Sequence, residues 1–148
     1  MNIATTCPVD KGTHHARFGD HRHAVRVARR TLQERLTARG IGQAAAPALR
    51  ERADAAVLVV SELVTNACRH ASGPSEMRTS WDGPELTVEI DDAAAEMPRI
   101  CPKSDRGEAG GFGMGLIDSL TDDWGTRPRT DQHEGKTVYA RIRFPLGL

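Results

Sequence analysis

The stretch that decides the fold is Ala53-Asp-Ala-Ala-Val-Leu-Val-Val-Ser-Glu62-Leu-Val-Thr-Asn66-Ala-Cys-Arg-His70-Ala71. Read at 3.6 residues per turn, it is a helix from about Arg50 to His70. Its apolar stripe is Ala56, Val60, Leu63, Val64 and Ala67. Ser72-Gly73-Pro74 ends it, as glycine and proline do beyond a helix terminus. Glu62, Asn66 and His70 fall at i, i+4 and i+8, on one helix face. An acid and an amide beside an apolar stripe need partners if they are buried. Their oxygens suit a hard cation such as Mg²⁺, and the carboxylate suits a general base. The alternative is a wetted face that only solvates the helix.

Upstream, the spacing predicts a short strand at about His15–Phe18 and a helix capped by Asp20. Val25, Ala28, Leu32 and Leu36 recur on that helix, which ends near Gly40. Residues 41–51, carrying Pro47, read as a loop. Downstream, Met77–Trp81 and Leu86–Ile90 read as strands joined by a turn at Asp82-Gly83. Residues 93–111 show no periodicity. Gly113–Leu120 reads as a short helix. Asp123–Arg127 and Thr137–Phe144 read as closing strands, the second alternating Val138, Ala140, Ile142 and Phe144 on one face. Helices and strands do not alternate strictly, so the expected class is α+β: a two-layer sandwich with a mainly antiparallel sheet and helices on one face. Residues 1–14 are expected to be a flexible N-terminus and residues 15–148 one domain.

The chain has 148 residues, with 20 basic and 20 acidic side chains and a formal net charge of zero. Such a balance argues against a non-specific nucleic-acid binder, which needs a basic excess. No apolar run approaches the roughly 20 residues that cross a bilayer, and the first residues lack the apolar segment of a signal peptide. The odd cysteine count, Cys7, Cys68 and Cys101, suits a reducing cytoplasm rather than a disulfide framework.

Four further constellations bear on chemistry. Gly110-Gly-Phe-Gly113-Met-Gly115-Leu116 opens a helix, where free amides and small residues admit a phosphate. It does not complete the dinucleotide fingerprint, because Leu116 stands at the last glycine position, and a flexible hinge is the competing reading. Gly135-Lys136-Thr137 imitates a P-loop ending, but Thr130 replaces the earlier glycine and a strand follows. Lys136 and Thr137 therefore read as strand-entry residues, with a hydroxyl on offer. His14, His15, His21 and His23 have no cysteine or carboxylate cluster to complete a metal set and read as a solvated face. Asp91-Asp92 closes a strand. Such acids start turns, or one of them accepts a hydrogen bond from an exocyclic amine at a pocket mouth.

Taken together these segments resemble the GHKL ATPase/kinase superfamily. Glu62-Leu-Val-Thr-Asn66-Ala and Arg69-His-Ala71 are similar to its N box, and Leu86–Pro98 to a degenerate G1 box. Gly111–Leu116 is similar to the G2 box, and Gly135-Lys-Thr-Val138 to the G3 segment. With Asp122-Asp-Trp-Gly125, the order and spacing resemble the anti-sigma-factor serine/threonine kinases of bacterial partner switching, over about Phe18–Phe144. The resemblance implies a Bergerat fold, ATP and Mg²⁺ as cofactors, and a sigma factor or anti-sigma-factor antagonist as partner. It further implies a cytoplasmic location and a homodimer of the kind common among relatives. Carried over by position, Glu62 is the catalytic base toward a partner serine and Asn66 the Mg²⁺ ligand. Asp92 accepts from the adenine amino group, being placed inward by alternation from Val88 and Ile90. Gly111, Gly113 and Gly115 open backbone amides to phosphate, and Thr137 supports the base site. Arg99, Lys103 and Arg106 stand where a lid would meet phosphate charge. Ala94 occupies the position where the G1 pattern has glycine. That departure motivates a second expectation, a non-catalytic module that binds its partner with nucleotide as a structural ligand or with none. A free-standing regulatory ATPase is the third.

Overall fold

The computed structural model describes residues 13–19, 21–69, 73–92, 113–129 and 135–146. The chain runs β1 (His14–Arg17), a 3₁₀ turn (His21–His23), α1 (Ala24–Ala38), α2 (Pro47–Cys68), β2 (Pro74–Asp82), β3 (Glu85–Asp92), α3 (Gly113–Leu120), β4 (Asp123–Pro128) and β5 (Lys136–Arg143). The strands form one sheet in the order β1-β2-β3-β5-β4. Every pairing among the described residues is antiparallel. The architecture is the two-layer α+β sandwich that the hydrophobic pattern predicts.

Both long helices are built by simple local rules. Leu32 and Leu36 of α1, with Ala24 and Ala28, are buried at helical spacing. The helix stops in a Schellman motif: Gly40 takes φ +85°, its N–H donates to the Thr37 carbonyl at 2.9 Å, and the Ile41 N–H donates to the Leu36 carbonyl at 2.9 Å. Ile41 then buries its side chain in the core beside Leu36. On α2 the predicted stripe of Ala56, Val60, Leu63, Val64 and Ala67 is buried, joined by Val59.

Two helix starts differ from expectation. Asp20 lies outside the described residues, and the residue preceding α1 is His23, which makes no side-chain cap hydrogen bond, because the chain enters through the 3₁₀ turn. Pro47 does not sit in a loop but is the first residue of α2. Its fixed φ suits that position and its missing N–H costs nothing there, so the helix begins a turn before Arg50.

The sheet alternates. Met77, Leu86, Val88, Ile90, Val138, Ala140 and Ile142 are buried against the helices. Trp81 packs on Phe144 at 5.3 Å between ring centroids, and Arg39, at the end of α1, lies over the Trp81 ring at 4.9 Å. Arg52 of α2 joins the layers at one end, donating to the Arg143 carbonyl at 2.9 Å and to Asp122 at 2.7 Å. The hairpin between β2 and β3 turns at Gly83-Pro84, one residue later than predicted, with Gly83 at φ +57°. No helix among the described residues is long and apolar enough to cross a membrane.

Candidate functional site

The predicted site residues that the structure describes are carried by α2, by the paired strands β3 and β5, and by α3. Glu62 and Asn66 lie one turn apart on α2 and are half-buried, on the flank of the apolar stripe rather than within it. Carboxylate and carboxamide oxygens on one flank are the hard donors that suit Mg²⁺. Among the described residues no group of three or more His, Cys, Asp or Glu side chains could hold a metal alone. A cation bound here would therefore take most of its remaining ligands from phosphate and water. His70, the third residue of the predicted face, lies outside the described residues, as do Gly111, Ala94, Arg99, Lys103 and Arg106. Gly113 and Gly115 fall on the first turn of α3, which packs against α2.

Asp91 and Asp92 are both buried, at 3% and 1% exposure, and the sheet separates them. In register, Asp91 pairs with Thr137 and Asp92 with Lys136. Opposed residues in an antiparallel pair project to the same face. Asp92 therefore shares the helix-facing side with Ile90 and Val138, where alternation predicts it. Asp91 points to the outer face. There it accepts from Arg78 Nη1 at 2.5 Å and Nη2 at 2.7 Å, and from Thr137 Oγ1 at 2.6 Å. Burial alone would raise the Asp91 carboxyl, but the hydrogen bonds from Arg78 and Thr137 and the guanidinium charge outweigh it and hold it below the usual carboxylate range. The same hydrogen bond to Asp91 holds the Arg78 guanidinium above its ordinary value, against the effect of burial.

Three features were not legible as site chemistry. Lys136 is the first residue of β5, paired between β3 and β4, with 1% of its side chain exposed and its Nζ 3.1 Å from Asp92 Oδ1. Its place two residues before Val138 on the alternating β5 face signals inward orientation; strand-entry position alone does not. Arg78 is the second, reaching Asp91 across the β2–β3 pair. Ser75 is the third. The β2–β3 register breaks between Pro74 and Glu76, so the extra residue is a bulge, and Ser75 Oγ donates to the Asp91 carbonyl at 3.3 Å. Thr137 lies on the face opposite Asp92 and gives its hydroxyl to Asp91. The histidines expected to be solvated make ordinary contacts: His15 Nδ1 lies 2.9 Å from Glu76, and His14 meets Arg35.

The described residues offer oxygen donors at Glu62 and Asn66, half-buried on α2, and a buried carboxylate at Asp92 against the Lys136 ammonium. Residues 18–142, most of the chain, match the family model of the histidine kinase-like ATPase domain. No curated protein matches the chain.

Proposed function

The chain belongs to the histidine kinase-like ATPase domain family, and we propose that within it the protein is an ATP-dependent serine/threonine kinase acting on an anti-sigma-factor antagonist in partner switching. The observation that carries this is the pairing of a half-buried acid and amide one turn apart on α2 with a buried carboxylate on the helix side of β3. When bound, ATP supplies the γ-phosphoryl group and Mg²⁺ neutralises charge on it. Asn66 holds the cation through its carboxamide oxygen. Glu62 accepts the proton of the partner hydroxyl as that oxygen bonds to phosphorus and the bond to the β-phosphate oxygen breaks, releasing ADP. Asp92 accepts from the base, and Gly113 and Gly115 keep the first turn of α3 open to phosphate. Gly111 joins them by its place in the sequence.

The test has two stages. Calorimetry with ATP–Mg²⁺ is expected to show binding by the wild type and at least tenfold weaker binding by Asn66→Ala. Labelled ATP with a candidate antagonist is then expected to transfer phosphate, with Glu62→Gln reducing transfer by about 10²–10⁴-fold, the usual contribution of a general base. Unchanged transfer by Glu62→Gln removes Glu62 from that role.

A second reading is favoured by one observation: Asp92 already has a cation against it in Lys136. On this reading the chain is a non-catalytic module that sequesters a sigma factor or antagonist, and nucleotide is a structural ligand or absent. Lack of ATP and ADP binding at millimolar concentration selects it over the kinase.

A further inference from the structure

The start of α1 carries charge that its own surroundings do not balance. From His21 to Arg30 there are four arginines, Arg22, Arg26, Arg29 and Arg30, and no acid, in a chain whose formal net charge is zero. Arg26, Arg29 and Arg30 are exposed and make no ion pair among the described residues. Like charges three or four residues apart on a helix destabilise it, so stability does not account for the cluster. All four arginines line one open hollow of about 540 Å³. Gln33 lines that hollow and also the next, of about 460 Å³, between the second half of α1 and the first turns of α2. The second hollow is lined by apolar side chains: Leu36 and Ile41 are buried in it, and Ala53 and Val57 are half-buried. Arg50 and Asp54, both exposed, add no net charge there.

We infer that the two hollows, adjoining at Gln33, form one groove that docks an amphipathic helix of a protein partner, acidic over the arginines and aliphatic over the second hollow. None of these residues belongs to the nucleotide site, so the inference does not depend on the nucleotide reading. From Arg26 to Thr37 the groove follows α1 for about three turns, roughly 16 Å, the span of a short helix. Guanidinium forks match carboxylates and phosphates alike, so the arginines alone do not choose between them. The apolar half chooses. Leucine-like side chains at helical spacing fill a recess between two helices, whereas a phosphate chain has nothing to place there. A bilayer does not reach apolar side chains that lie recessed rather than projecting. A second copy is excluded on this face, because a two-fold contact would set the arginines of one copy against those of the other.

The probe is a labelled helical peptide of about 16 residues, roughly four turns, with glutamates on one face of its first two turns and leucines on the same face of its last two. It is titrated by fluorescence anisotropy into the full chain without nucleotide. The wild type is expected to bind it in the micromolar range. Binding is expected to weaken at least tenfold when the glutamates become glutamines, when the leucines become serines, and when the protein carries Arg26→Gln with Arg30→Gln. Both arginines are exposed, and relief of like-charge crowding is expected to leave the Tm of that variant no lower than the wild type's. No binding at millimolar peptide overturns the inference, as does binding that survives the glutamine peptide or the double variant. A serine peptide that binds as well as the leucine peptide removes the apolar half and overturns it too. Single-stranded DNA of the same length and phosphatidylglycerol vesicles are the competing polyanions: either one bound more tightly than the peptide assigns the face to phosphate and overturns the inference. None of these outcomes touches the nucleotide reading, which stands or falls on ATP calorimetry.

Discussion

Replacing Arg78 by Met tests whether the outer-face knot on β3 holds the sheet together. Arg78 makes two hydrogen bonds to Asp91, at 2.5 and 2.7 Å, and Asp91 has only 5% of its side chain exposed. Removing one partner of a buried pair costs about 3–5 kcal/mol, because the other charge stays behind uncompensated. Arg78 keeps 17% exposure, and Thr137 would still donate to Asp91, so the lower end applies: about 3 kcal/mol. For a domain of this size that is a fall in Tm of about 6–12 °C. Urea and thermal unfolding at neutral pH measure it.

The cost also has a pH signature. The folded-state pKa of Asp91 is lowered, so in the wild type it contributes stability that is present above the unfolded value of about 4 and lost as pH falls through the folded value. In Arg78→Met the guanidinium is gone and burial favours the protonated acid. The gap between wild type and variant is therefore widest above about pH 4 and narrows below it. A loss under about 1 kcal/mol at neutral pH, the range of a solvated surface pair, would refute the reasoning. So would a loss that stays constant as pH falls from about 5 to about 3, through the unfolded aspartate value of about 4.

Other predictions are simpler. Gly40→Ala is expected to lose about 1 kcal/mol by chemical denaturation, because φ +85° is unfavourable for a residue with a Cβ and the Schellman turn requires it. Gly125→Ala places a Cβ 2.7 Å from the Tyr139 hydroxyl, so the ring must leave its place between Arg127 and Arg141, which lie 5.4 and 4.6 Å from its centroid. A cost of about 1–3 kcal/mol and a changed tyrosine near-ultraviolet signal are expected. Thr137→Val removes one neutral donor from Asp91 and is expected to cost about 1 kcal/mol, read by urea titration. Ile90→Ala empties a position with 1% exposure between the layers and is expected to cost about 2–5 kcal/mol in the same assay.

By itself, the sequence determined the elements. Helical spacing from Ala56 to Ala67, alternation along β3 and β5, and glycine or proline at element ends are local signals, and the chain obeys them because each apolar face has to leave water. Alternation from Val88 and Ile90 also placed Asp92 on the inner face, and the order of Glu62, Asn66 and the glycine box pointed to the family that residues 18–142 match. Only the tertiary structure decided the partners of the two aspartates. Arg78, Asp91 and Thr137 come from three different strands, and Lys136 is far along the chain from Asp92. Which side chains meet there depends on strand register, where a one-residue slip would exchange Lys136 for Thr137 beneath the helices. Register is settled by packing the whole sheet against α1 and α2, a sum over many contacts that no single stretch of sequence contains.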